Sequence, residues 1–504
     1  DASNPAALPA LGGAGGDGSL LGLLGSHGMV GAPGVLAAGG AAPSAGSDSV
    51  LPVETTGTWL TNSAGQVVIL HGLNEVDKVA PYEPSAEGFG AQDAAFLAAN
   101  GFNVVRLGVQ WAGVEPEPGV IDYAYLASLA QTVHTLEDNG IYVILDMHQD
   151  LYSAYFGGDG APAWAVQTGG LPNHELGFPL TYVADPAEIN AWDAFWSNAT
   201  APNGVGLEND YAQMWEAVAA YFDGNPDVVG FEIMNEPWPG LMSVPTVLGS
   251  PAFDAQDLTP FYDQVASAIR AVDPTTPIFY EPNVLFNFGL PTHLGAVDAT
   301  NTVFAFHDYC LVDQVLGVNF ACGLEADLVT AQAQAYAQLR DIPAFMTEFG
   351  ATDNDTVIAD AMQPADQHLI GWTEWTFTSH DPTSPSNLVY NPQDPPVGAN
   401  VDAAKLATLA QPYPQVVSGT PHTWSFDDGT FAFSYSTDKV DGAGSFAAGS
   451  PTTIAVPAIE FPHGYQVSVT GGQVVSAPDA PQLVIDSDPG ATTVDVTVSP
   501  AAGG

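Results

Sequence analysis

Short, almost wholly apolar runs recur through the middle of this chain, most of them followed by a stretch of helical period. The runs are QVVILHGLN (66–74), FNVVRLGV (102–109), IYVILDMHQD (141–150), DVVGFEIMNEP (227–237), TPIFYEPN (276–283), TVFAFHDY (302–309), IPAFMTEFG (342–350) and LIGWTEWTF (369–377). Helices are predicted over 89–99, 122–138, 209–222, 260–271, 325–340 and 401–410. Strands that are apolar on both faces and alternate with helices predict a parallel sheet covered on its outer side. Eight such units within residues 51–412 predict an α/β fold, a closed (β/α)8 TIM barrel. An open doubly wound sheet is the alternative, but no Gly-rich phosphate loop follows the first run. Beyond Pro414 the helical period gives way to short alternating runs between turn residues, which predicts a small antiparallel β-sandwich over 413–504. Residues 1–50, rich in Gly, Ala, Ser and Pro, read as a flexible leader or tether.

In a barrel of this kind, chemistry gathers at the C-terminal ends of the strands. All eight runs carry polar or aromatic groups there: His71 and Asn74; Arg106; Asp146, His148 and Asp150; Asn235 and Glu236; Glu281 and Asn283; His307 and Tyr309; Glu348; Trp372, Glu374 and Trp375. Strand parity puts Asp146, His148 and Asp150 on one face, and His307 with Tyr309 on another. Asn235 and Glu236 are adjacent, so the strand must bend or bulge for both to reach one site. Glu348, followed by Gly350 two positions on, is the first choice of partner for Glu236, with Glu281 and Glu374 as competitors. Two carboxyl groups about 5–5.5 Å apart support a retaining glycosidase, one as nucleophile and one as acid and then base. Glu232, four residues before Glu236, is expected to pair with a barrel cation or donor.

Charge narrows the partners. The 504 residues hold 57 Asp and Glu against 6 Lys and Arg, a formal net charge of −51. That surface repels phosphate backbones and anionic headgroups, which argues against nucleic-acid binding. The most apolar early stretch is broken by Ser, His, Pro and Gly, so no transmembrane segment is expected. Cys310 and Cys322, twelve positions apart, suit one loop-closing disulfide, with two free buried thiols as the alternative. A disulfide implies an oxidising setting, and Asp1 in place of Met reads as a processed chain, so a secreted or cell-surface protein is expected. No metal or other cofactor is called for, and a monomer is expected.

The motifs NEP, TEFG, VVRL and HDY, in this order of runs, resemble glycoside hydrolase family 5, a (β/α)8 family of retaining enzymes. GLNEVDK, LGVQWAGVEPEPGVIDYAYL, VILDMHQDLYS and GAPAWAVQTGGLP narrow the resemblance to endoglycoceramidases and relatives that cleave glycosylceramides or steryl glucosides. It covers roughly residues 53–415, and the C-terminal β module also fits that group. The resemblance implies Glu236 as acid/base and Glu348 as nucleophile, with Arg106 and Tyr309 holding Glu348 and His307 lining the same site. It implies Asn235 on the sugar 2-hydroxyl, Lys78, Asp146 and His148 on other hydroxyls, and Trp375 under the ring, often before a cis peptide. Asp150 reads either as a ligand or as supporting scaffold. HDYC and WTEWTF depart from the group's versions, so the loops shaping sugar subsites are expected to differ. The apolar loops WPGLMSVPTVLGSPAF and VLFNFGLP favour a glycolipid over a polysaccharide, if they do not bury one another. A β-glucanase or mannanase of the same family, and a catalytically silent carbohydrate-binding surface protein, are the competing readings.

Overall fold

The computed structural model describes residues 52–378 and 386–501. The leader expected over 1–50 lies outside them. Eight parallel strands close into a barrel: β1 (His71–Glu75), β2 (Val104–Gln110), β3 (Tyr142–His148), β4 (Val228–Glu232), β5 (Ile278–Tyr280), β6 (Thr302–Asp308), β7 (Ala344–Phe349) and β8 (Gly371–Glu374). Each strand pairs with the next, and β8 pairs with β1. This is the TIM barrel predicted by the alternation. Gly72 shows how closely the strands pack, since a Cβ there would lie 1.7 Å from the Val104 carbonyl oxygen.

The barrel interior changes character along its length. Val104, Ile144, Phe279, Val303, Ala305 and Phe345 form an apolar layer. One or two inward positions further on come Arg106, Asp146, Glu232, Glu281, His307 and Glu348, all buried. The strand period of two thus carries β2, β3, β5, β6 and β7 from an apolar plug to a charged rim.

The predicted helices are present as α1 (Ala91–Ala99), α2 (Tyr123–Glu137), α4 (Leu207–Phe222), α5 (Thr259–Val272), α6 (Cys322–Arg340) and α8 (Ala403–Leu409); besides several helices of four to six residues, two longer ones, α3 (Pro186–Trp196) and α7 (Asp355–Gln367), were not expected. Pro364 inside α7 reads against a helix, yet the turn tolerates it.

The C-terminal strands form two antiparallel sheets, as expected for a small sandwich. One has four strands, Thr420–Asp427, Thr430–Ser436, Thr493–Pro500 and Tyr465–Thr470. The other has seven, and three of them come from the N-terminal side: Val53–Thr56, Trp59–Asn62 and Val67–Val68. The run 66–74 therefore serves both layers. Val67 and Val68 hydrogen-bond to Tyr413–Val417, while His71–Glu75 enters the barrel. His71 is consequently at the start of its strand and not at its catalytic end. Its ring lies 4.1 Å from Trp372 and 3.9 Å from Tyr413, centroid to centroid, stitching barrel to sandwich.

Candidate active site

Chain geometry explains how Asn235 and Glu236 reach one place. The β4 ladder stops at Glu232, and Glu236 takes a left-handed conformation at φ +44°, uncommon for a residue with a Cβ. Gln149 fixes this turn by donating Nε2 to the carbonyls of Asn235 (2.9 Å) and Glu236 (3.0 Å). Pairing is also irregular on the opposite strand, where β7 carries a bulge between Met346 and Glu348 that sets Glu348 beside His307.

Glu236 and Glu348, 112 positions apart in the chain, meet here. Carboxylate oxygens of the two, with a nitrogen of His307, all lie within 4.8 Å of one another. His307 Nδ1 is 2.8 Å from Glu236 Oε1 and 3.4 Å from Glu348 Oε2. Glu348 also accepts hydrogen bonds from Arg106 Nη1 (2.5 Å) and the Tyr309 hydroxyl (2.7 Å). Arg106 is fully buried and its fork is filled: Nε on Glu232 at 2.5 Å, Nη1 also on Asn74 at 3.0 Å, Nη2 on Asn235 at 2.8 Å and on Asp146 at 3.0 Å. Glu232 thus pairs with a barrel cation, as its position predicts.

The two carboxyl groups are pushed in opposite directions. Burial pushes Glu236 above its ordinary value, the charges of Glu348 and Asp150 add to this, and His307 only partly opposes it. Burial also works against the charged form of Glu348, but His307, Arg106 and His148 outweigh it, and the Tyr309 hydroxyl helps hold this carboxylate below its ordinary range. His307 is itself kept protonated: burial disfavours its charge, and Glu281 and Glu348 overcome that. A carboxyl that keeps its proton more readily, facing one that gives it up more readily, suits a pair in which one attacks a carbon and the other protonates its leaving oxygen.

A second cluster lies beside the pair. Lys78 is paired with Asp150, and its Nζ sits 4.3 Å from the centroid of the Trp375 ring. The His148 ring lies parallel to Trp375 at 5.3 Å, and its Nδ1 is 2.6 Å from Asp146. Burial works against the imidazolium, but Asp146 and Asp150 push His148 up to about 10. The peptide Trp375–Thr376 is cis.

Several expectations are placed differently. Asp146, expected at a sugar hydroxyl, is fully enclosed between Arg106 and His148 and orients both. Glu281 is buried behind the pair, accepting from the Glu236 backbone N–H at 3.1 Å. Glu374 is on the outward parity of β8 and pairs with Lys405 of α8 at 3.4 Å, so it takes no part. Trp372 shares that outward parity. Asn287 was missed, though it donates Nδ2 to Glu236 Oε1 at 2.6 Å; its signal was a lone amide inside the apolar run VLFNFG. The disulfide Cys310–Cys322 is present, directly after Tyr309. Of the two apolar loops, VLFNFGLP buries Val284 and Phe286, whereas Leu241, Val244 and Leu248 after β4 are exposed by 67–81%.

A closed parallel barrel with paired glutamates at its strand ends is the architecture of a glycoside hydrolase, and the chain belongs to glycoside hydrolase family 5. The family described as Cellulase (glycosyl hydrolase family 5) matches residues 63–381, and the glycoside hydrolase family 5 C-terminal domain matches residues 411–498. Among curated relatives, Endoglycoceramidase I of Rhodococcus hoagii is 35% identical, covering 90% of each chain. Endoglycoceramidase of Hydra vulgaris is 28% identical and covers 84% of each. Among solved structures, Endo-glycoceramidase II from Rhodococcus sp. as its lactosyl-enzyme intermediate superposes with a TM-score of 0.72 at 31% identity, covering 88% of this chain and all of the other. The same enzyme is also known in complex with ganglioside GM3, at a TM-score of 0.73 and 30% identity over 89% of this chain and all of the other.

Proposed function

We propose that this chain is a retaining β-glycosidase that hydrolyses the bond between sugar and lipid in glycolipids. The observation that carries the reading is the asymmetric pair. Glu348, ionised and aimed by Arg106 and Tyr309, attacks the anomeric carbon. Glu236, holding its proton, gives it to the departing oxygen, so the lipid alcohol leaves neutral. Glu236, now ionised, takes a proton from water, and the resulting hydroxide releases the sugar from Glu348 with its original configuration. Asn235 donates one amide hydrogen to the Gln149 carbonyl at 2.9 Å, leaving the other for the sugar 2-hydroxyl. Lys78, Asp150 and His148 bind further hydroxyls beside the Trp375 face, and Asp146 holds His148 in place.

The lipid side of the reading rests on the rim. Leu241, Val244 and Leu248 in the loop after β4, and Leu316, Phe320 and Leu324 after β6, are all largely exposed. Six bulky apolar side chains in the segments that follow β4 and β6, at the catalytic end, suit an acyl or sterol tail better than a second run of sugars. The names of the relatives, and a ganglioside seated in one of them, support the same substrate class. No described helix is long and apolar enough to cross a membrane. The disulfide supports action in an oxidising compartment, outside the cell or at its surface.

Azide rescue tests the assignment. In Glu348→Ala, azide enters from the face opposite the leaving group and should give the inverted α-glycosyl azide. In Glu236→Ala, an activated aryl glycoside still loads Glu348, and azide should give the retained β-glycosyl azide. Reversed products would exchange the roles. Mass spectrometry of a glycolipid mixture after incubation should show free glycan together with free lipid alcohol. Turnover of soluble glucan or mannan without glycolipid turnover would select the polysaccharidase reading instead.

A further inference from the structure

Glu236 receives two hydrogen bonds, and both fall on the same oxygen. His307 Nδ1 lies 2.8 Å from Oε1, and Asn287 Nδ2 donates to Oε1 from 2.6 Å. Both groups are almost wholly buried. A carboxylic acid puts its hydrogen on the oxygen that is not already accepting, so two donors on Oε1 assign the proton to Oε2. We infer that Asn287 is a positioning residue for acid catalysis: it fixes which oxygen of Glu236 carries the proton and turns that oxygen toward the leaving group.

The surroundings of Asn287 fit this task. It lies in the short turn Val284–Phe288 that follows β5, and its backbone carbonyl accepts from the Tyr309 N–H at 3.4 Å. One residue thus touches the proton donor through its side chain and the neighbour of the nucleophile through its backbone. An amide is well chosen, because its N–H cannot exchange roles with the carboxyl as a second acid could. A donor on Oε1 also favours the charged form, so its removal should make the Glu236 proton harder to lose.

The inference rests on reading Glu236 as the acid, and the test separates the two. kcat/KM reports steps up to loading of Glu348, and it is compared for a dinitrophenyl glycoside, whose leaving group needs no proton, and for a glycosylceramide, whose alcohol does. In Asn287→Ala and in Asn287→Ser, the ceramide substrate should lose about 10- to 100-fold while the dinitrophenyl substrate changes by less than about 3-fold. The alkaline limb of the pH profile should also move upward. Glu236→Ala is the reference and should show a larger version of the same split. If Glu236→Ala shows the split and both Asn287 variants lower the two substrates equally, or leave both unchanged, the role given to Asn287 is wrong. If Glu236→Ala shows no split, the acid assignment itself fails and takes this inference with it.

Discussion

Arg106 is one of six Lys and Arg residues in the chain, and it is fully buried among carboxylates. Its planar fork reaches Glu232, Asn74, Glu348 and Asn235 at 2.5–3.0 Å, which no single ammonium can do. Arg106→Lys should lower kcat/KM by about 100-fold and change the shape of the pH profile. In the unaltered enzyme, Glu348 must be charged, and its value is depressed, so activity should fall only as pH drops below the ordinary glutamate range. Glu236 must be protonated, and its value is raised, so activity should fall as pH climbs above that range. The substitution should move the acid limb upward and narrow the bell; a profile that keeps its acid limb would show that Arg106 does not hold Glu348 ionised. Both glutamates were legible because each interrupts an apolar run where a strand ends. The division of labour behind them was not. Whether Asp146 faces a sugar or holds His148 depends on its depth in the barrel, and parity gives a face without a depth.

At the scale of elements, β6 runs into Tyr309, then Cys310, and the disulfide returns the chain to Cys322 at the start of α6. The loop is thereby anchored at both ends next to the tyrosine that hydrogen-bonds Glu348. Closing a loop of this size is worth about 3 kcal/mol through the unfolded state. Cys310→Ser with Cys322→Ser should therefore lower the thermal midpoint, and the acid limb should shift upward as the Tyr309 contact loosens. An unchanged midpoint would show that this cross-link does not limit unfolding. The barrel strands and most of the longer helices followed from period alone, yet α3 and α7 did not. The start of α3 is marked, with Asp185 capping two backbone N–H groups and Pro186 in the first turn, but aromatic residues blur its apolar stripe. In α7, Pro364 gives the opposite local signal, and packing against β8 and α6 overrides it.

At the scale of the whole molecule, the barrel and the β-sandwich are joined by the run 66–74, which gives a strand to each, and by a stacked histidine, so a perturbation of protonation acts on one packed body within the described residues. The predicted sandwich was visible in its own alternation. The recruitment of 53–68 into its sheet was not, because a strand's partner is a long-range choice that local pattern does not encode. Net charge and buried acids then make one joint claim about stability. Burial pushes Glu188, Asp308 and Asp366 each up to about 8, and Glu374 to about 7, where unfolded carboxyls titrate near 4. Between these values the folded chain binds more protons than the unfolded one, so unfolding free energy falls as pH rises. Glu348 and Asp150, whose values are depressed, act in the other direction but only below about pH 4. The formal charge of −51 adds self-repulsion with the same sign. The thermal midpoint should therefore be higher at about pH 5 than at about pH 8. Salt separates the two causes, since about 1 M NaCl screens exposed charges but leaves buried carboxyls unscreened. The trend should persist, reduced, in high salt. If it vanishes there, surface repulsion alone sets the pH response, and the buried acids do not carry protons that the unfolded chain releases.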